Sequence, residues 1–123
     1  MEKKGKILIA DDNIATSMTL ELKLKEEGFE TTVVSNGKDA LDLIKKEKFD
    51  LVLLDLIMPQ LNGFGVLEGI QREGIKIPVI VSSNLGQNED IQKVKELGAL
   101  DFFIKSDMSM TEMVEKIKGY IKP

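Results

Sequence analysis

Short apolar runs rich in β-branched residues alternate along the chain with longer segments of helical period, and this alternation limits the fold more than any other feature. Repeated strand–helix units are satisfied by a parallel sheet whose connecting helices return over its faces. The predicted strands are Lys6 to Ala10, Thr31 to Ser35, Leu51 to Leu54, Pro78 to Ser82 and Asp101 to Ile104. The first, third and fourth are almost wholly apolar, as strands covered on both faces are. The last is flanked by charge and reads as an edge. The expected class is therefore α/β, one doubly wound five-stranded parallel sheet with five helices, and at 123 residues the whole chain, 1–123, is expected to form one domain.

The helices carry recognisable faces and ends. The first is expected from about Asn13 to Gly28, with Leu20 and Leu24 inward and Met18 and Leu22 beside them. The second, from about Lys38 to Lys48, turns Ala40, Leu41 and Ile44 inward; the third uses Val66, Leu67 and Ile70; the fourth uses Ile91, Val94 and Leu97 and stops at Gly98. The fifth opens on the Ser109-x-x-Glu112 capping box ahead of Met113, Val114, Ile117 and Ile121.

Composition removes several kinds of chemistry. There is no cysteine and no histidine, so thiolate and imidazole ligands, cysteine nucleophiles and phosphohistidine within this chain are excluded. A net charge of -4 disfavours sequence-blind attraction to nucleic acid or anionic lipid, and neither is expected as a direct partner. The start Met1-Glu2-Lys3-Lys4-Gly5-Lys6 is basic, but Asp11 cuts short the apolar run behind it, so a cytoplasmic location is expected by default.

In open α/β sheets ligands bind beyond the carboxyl ends of the strands, and here those ends carry the chemistry. Asp11 and Asp12 follow the first strand, Asp55 the third, Ser82 and Ser83 end the fourth, and Lys105 follows the fifth. Any of these alone has a plain structural explanation, a helix start, a turn, a strand cap or a solvated lysine. Together, three carboxylates in one crevice repel one another by roughly 4 kcal/mol per pair at about 4 Å and an effective dielectric near 20. A hard cation with oxygen ligands, Mg2+, and the Lys105 ammonium answer that repulsion. A carboxylate so placed can attack a phosphoryl group, and Asp55, at the end of the central strand, is the expected nucleophile. Asp12 is expected in direct contact with the metal, Asp11 behind a water on it, and the Ser82 hydroxyl as a donor to the new phosphoryl oxygen.

Asp11-Asp12, Asp55-x-x-Met58-Pro59 with Asn62-Gly63, Pro78-x-x-x-Ser82 and Phe102-x-x-Lys105 stand in this order and resemble the two-component response-regulator receivers of bacteria, including the stand-alone chemotaxis regulators. The resemblance covers nearly the whole chain. It implies a flavodoxin-like sheet of order 2-1-3-4-5, phosphorylation of Asp55, and Mg2+ held by Asp11, Asp12, Asp55 and the Ile57 backbone carbonyl. It makes Ser82 and Phe102 the switch pair that remodels the face of helix four, strand five and helix five for an output protein or for self-association. The phosphodonor it implies is a sensor histidine kinase or a phosphotransfer protein, and the chain then catalyses only its own phosphoryl acceptance and loss.

Some positions depart from the family pattern. Ser82 stands where threonine is commoner, Ser106 where a proline usually follows the lysine, and Ile57 and Asn84 occupy positions that in the family tune the phosphoryl lifetime. Without proline, a cis Lys105–Ser106 bond costs roughly 3–4 kcal/mol, so a trans bond is expected. Readings from other classes fit less well. A flavin carrier lacks its phosphate-cradling first loop here, and a phosphohydrolase lacks the acid two residues after its nucleophile, where Ile57 stands. A partner-binding module without phosphorylation leaves the acidic set unexplained.

Overall fold

The computed structural model describes residues 5–85 and 87–121. The basic start from Met1 to Lys4 lies outside the described residues. Five strands, β1 (Lys6–Ala10), β2 (Glu30–Val34), β3 (Leu51–Leu54), β4 (Val79–Ser83) and β5 (Asp101–Ile104), form one sheet. Every pairing is parallel and the order is β2-β1-β3-β4-β5, as expected. Five α-helices connect and follow them: α1 (Ile14–Glu26), α2 (Gly37–Lys46), α3 (Gly63–Arg72), α4 (Asn88–Glu96) and α5 (Met110–Tyr120). No described helix is long and apolar enough to cross a membrane.

The alternation of side chains along the strands divides the core in two. Leu8, Ala10, Val52 and Leu54 face α2, α3 and α4 through Ala40, Ile44, Val66, Leu67, Ile70 and Val94. Ile7, Ile9, Leu51 and Leu53 face α1 and α5 through Leu20, Leu24, Met113, Val114 and Ile117. The sheet is thus covered on both sides, which is why β1, β3 and β4 need so few polar residues.

Helix starts follow from local chemistry. Asn13, Asn36, Asn62 and Ser109 each accept a hydrogen bond from the backbone N–H three residues on, and Ser109 and Glu112 complete the capping box. Leu41, Ile91, Leu97 and Ile121 are half-buried and complete their expected faces only in part. One expectation is overturned: Met18 and Leu22 are exposed, 62% and 61%, while Ser17 is buried beside Leu20 and Leu24. Two helical residues turn the chain by about 200°, so Met18 and Leu22 lie on the side away from Leu20. The inner face therefore runs through 17, 20 and 24, and a serine occupies its first place.

Candidate functional site

The parallel register brings four chain segments to one end of the sheet. The Asp11 N–H donates to the Val34 carbonyl at 3.1 Å and the Asp55 N–H to the Ala10 carbonyl at 2.9 Å, so both acids continue the ladder just past their strands. Leu54 and Ala10 are register partners, and this sets Asp55 beside Asp11. One oxygen from each of Asp11, Asp12 and Asp55 lies within 4.8 Å of the others. Asp11 and Asp55 are buried and Asp12 is exposed, so the cluster opens to solvent on the Asp12 side.

Lys105, reached across β4 and β5, enters this cluster. Its Nζ donates to Asp11 Oδ2 at 2.6 Å and to Asp55 Oδ2 at 3.2 Å. The remaining oxygens are held by the backbone: Asn13 N–H donates to Asp11 Oδ1 at 2.9 Å, and Ile57 N–H to Asp55 Oδ1 at 3.3 Å. Burial pushes the Asp55 carboxyl above its ordinary pKa; Lys105 opposes that and the Asp11 charge reinforces it. Burial alone would lower the Lys105 pKa, but the hydrogen bond it donates to Asp11 and the charges of Asp55 and Asp11 together raise it. One ammonium thus serves several carboxylates and leaves the cluster short of positive charge. Oxygen donors so arranged suit Mg2+, which accepts few carboxylates and keeps waters.

The loop after Asp55 is shaped by close backbone approaches. Gly63 N–H donates to the Leu56 carbonyl at 2.9 Å. A Cβ on Gly63 would stand 2.5 Å from the Asp55 carbonyl oxygen, so α3 can begin this close only with glycine there. Leu56 and Met58 are buried and anchor the loop, whereas the Ile57 side chain between them is 56% exposed. Gln60 takes a positive φ of 69° in a turn closed by Leu61 N–H on the Pro59 carbonyl at 2.8 Å. That left-handed conformation is uncommon for a residue with a Cβ.

Ser82 is buried in β4 opposite Phe103, and Phe102, opposite Val81, is half-buried against the α2–α3–α4 side of the core. No peptide bond among the described residues is cis, so Lys105–Ser106 is trans, and a short 3-10 turn, Lys105–Asp107, leads on to α5. Two residues at the site have roles that the sequence did not assign. Ser17 donates from its hydroxyl to the carbonyls of Asp11 and Asn13, at 3.4 and 3.0 Å, and so ties the first turn of α1 under the acidic pair. Its place four residues after Asn13 was the available sign. Asn13 itself was read as a helix start, without its N–H being assigned to Asp11.

Comparisons with known proteins agree with this geometry. The family model described as response regulator receiver domain matches residues 7–118. Sporulation initiation phosphotransferase F of Bacillus subtilis is 37% identical over 116 residues, 94% of this chain and 93% of that protein. The probable transcriptional regulator ycf27 of Galdieria sulphuraria is 40% identical over 99% of this chain and 47% of its own length. The chain spans about half the length of the ycf27 relatives it matches. Among solved structures, the receiver domain of the Francisella response regulator 1452 superposes with a TM-score of 0.88 at 31% identity, covering 95% of this chain and 96% of that one. A CheY-like receiver domain protein from Methanospirillum hungatei JF-1 gives 0.87 at 26% identity, covering 94% and 92%.

Proposed function

The chain belongs to the response regulator receiver domain family of two-component signalling, and from that premise we propose that Asp55 is its phosphoacceptor. The observation that carries this reading is the meeting of Asp11, Asp12, Asp55 and the Lys105 ammonium at one end of the sheet. Residues 1–123 are read as one receiver unit, whatever output it is joined to or meets.

The donor is a phosphohistidine on a sensor kinase or phosphotransfer protein, since this chain has no histidine of its own. An Asp55 carboxylate oxygen forms the new O–P bond while the N–P bond breaks and its electron pair leaves with the imidazole. Asp11, Asp12, Asp55 and the Ile57 carbonyl would hold Mg2+, which would supply positive charge to the oxygens of the transferring group. Lys105 supplies the second, fixed charge and loses part of its grip on Asp55 as the carboxylate becomes an acyl phosphate. The Ser82 hydroxyl then donates to a phosphoryl oxygen. Its movement vacates space beside β5 into which Phe102 turns, and this changes the surface of α4, β5 and α5 that an output partner or a second copy reads. The later attack of water on the acyl phosphate returns the domain to its starting state, so the chain transforms no substrate but itself.

The site is mapped by treating protein incubated with acetyl phosphate and Mg2+ with borohydride, which converts an aspartyl phosphate to homoserine. Homoserine at position 55 is the expected product. Homoserine elsewhere, with position 55 still aspartate, would remove Asp55 from the mechanism.

A further inference from the structure

One hydrogen bond beside the acidic crevice joins two loops that the mechanism above leaves unconnected: the Ser106 backbone N–H donates to Asn84 Oδ1 at 2.9 Å. Asn84 directly follows β4, and Ser106 directly follows Lys105. The donor is an N–H, so the amide must present its oxygen here, and the orientation of Asn84 is set by chemistry.

The turn that carries Lys105 is weakly built. It is a three-residue 3-10 helix, Lys105–Asp107, whose closing bond from Met108 N–H to the Lys105 carbonyl is 3.4 Å long. The leading N–H groups of any such helix have no partner within it. Asn84 satisfies one of them from across the crevice, and its own loop is braced where the buried Ser83 hydroxyl oxygen accepts from Leu85 N–H at 3.3 Å. The contact depends on position 106 being something other than proline, which has no N–H to give.

We propose that Asn84 is a positioning residue for phosphoryl transfer: by capping the turn at Ser106 it holds the backbone of Lys105 where the ammonium reaches both Asp11 and Asp55. The proposal rests on the reading of Asp55 as phosphoacceptor. Lys105 is half-buried and aimed at two carboxylates 2.6 and 3.2 Å away, so a shift of its backbone changes which of them it favours. The capping bond is open to solvent, and its loss corresponds to a rate effect of about three- to tenfold.

The test compares the parent, Asn84→Ala and Asn84→Asp, with acetyl phosphate as donor at fixed Mg2+, and follows the Ser106 amide by nitrogen-15 NMR and hydrogen exchange. In Asn84→Ala the Ser106 amide should lose protection and phosphorylation should slow by about three- to tenfold. Asn84→Asp keeps an acceptor oxygen in place and should restore both the amide signature and the rate. An Asn84→Ala protein with a freed Ser106 amide and a parental rate would overturn the positioning role. So would a slowed rate with the Ser106 amide unaltered, or a failure of Asn84→Asp to recover the rate once its amide is protected again. A parent that takes no phosphoryl group overturns the phosphoacceptor reading as well, and that control separates the two failures.

Discussion

Lys105 sits nearer to Asp11 than to Asp55, with its ammonium at 2.6 Å from the one and 3.2 Å from the other. The lysine is therefore seated on Asp11 and only leans on the proposed nucleophile. Replacing it, Lys105→Ala, leaves partly buried carboxylates facing each other. Breaking one side of a buried pair costs about 3–5 kcal/mol, and the residual exposure of Lys105 brings the expected loss to about 1–3 kcal/mol. Urea unfolding without Mg2+ should show this loss, and Mg2+ should recover part of it. A variant as stable as the parent in both conditions would mean that the ion pairs contribute nothing net.

Mg2+ itself should raise the melting temperature of the parent, because it binds the folded cluster and not the dispersed acids of the unfolded chain. Without metal, Asp55→Asn should melt higher than the parent, since it removes a charge that burial and Asp11 both disfavour. Asp12→Ala should do so to a smaller degree, because Asp12 is exposed. Thermal scans of the three proteins with and without Mg2+ decide the point; variants that melt below the parent in metal-free buffer would contradict a strained carboxylate cluster.

The pH dependence follows from the same two groups. The folded protein holds the Asp55 proton to higher pH than the unfolded chain does, so between those two pKa values the native state binds more protons. That contribution is fully present below the ordinary carboxylate pKa of about 4 and is lost as pH rises through the folded value. Lys105 also has a raised pKa, so its contribution is present below the ordinary lysine value of about 10.4 and disappears as pH climbs through the folded one. Metal-free urea midpoints should fall over the first interval in the parent and stay flatter there in Asp55→Asn. They should fall again at the alkaline end in the parent and not in Lys105→Ala. Parallel curves for parent and variants would refute the assignment.

Gly63→Ala tests how the loop of the proposed nucleophile is held. The added Cβ meets the Asp55 carbonyl oxygen at 2.5 Å, a backbone contact that cannot swing aside. Overpacking of this kind costs about 1–3 kcal/mol, and the strain falls on the Asp55 backbone. Both the denaturation midpoint and the phosphorylation rate should drop. An unchanged rate in a destabilised variant would show that the loop yields without moving Asp55.

Much of this molecule was legible in its sequence because period and punctuation are local. Leu51 to Leu54 could only be a covered strand, and Ser109 with Glu112 announced α5 three residues apart. The convergence of Asp11, Asp55 and Lys105 was also readable, since parallel strands bring their carboxyl ends to one edge whatever their exact bounds. Met18 and Leu22 were misread because apolar spacing of four defines a stripe without saying which side it faces, and Ser17 took the inner place. The Asn84–Ser106 bond had no sequence signal at all. It spans loops 22 residues apart and depends on the path the chain takes after Lys105. Gln60 carried no sign of its positive φ, which the approach of Pro59 and Leu61 imposes.

The central claim, that Asp55 accepts a phosphoryl group with Mg2+ present, is tested most directly by intact mass. Parent and Asp55→Asn are incubated with acetyl phosphate, each with and without Mg2+. The account predicts a gain of one phosphoryl group in the parent with Mg2+ and none in the other three samples. Equal labelling of Asp55→Asn, or labelling of the parent that ignores Mg2+, would contradict it.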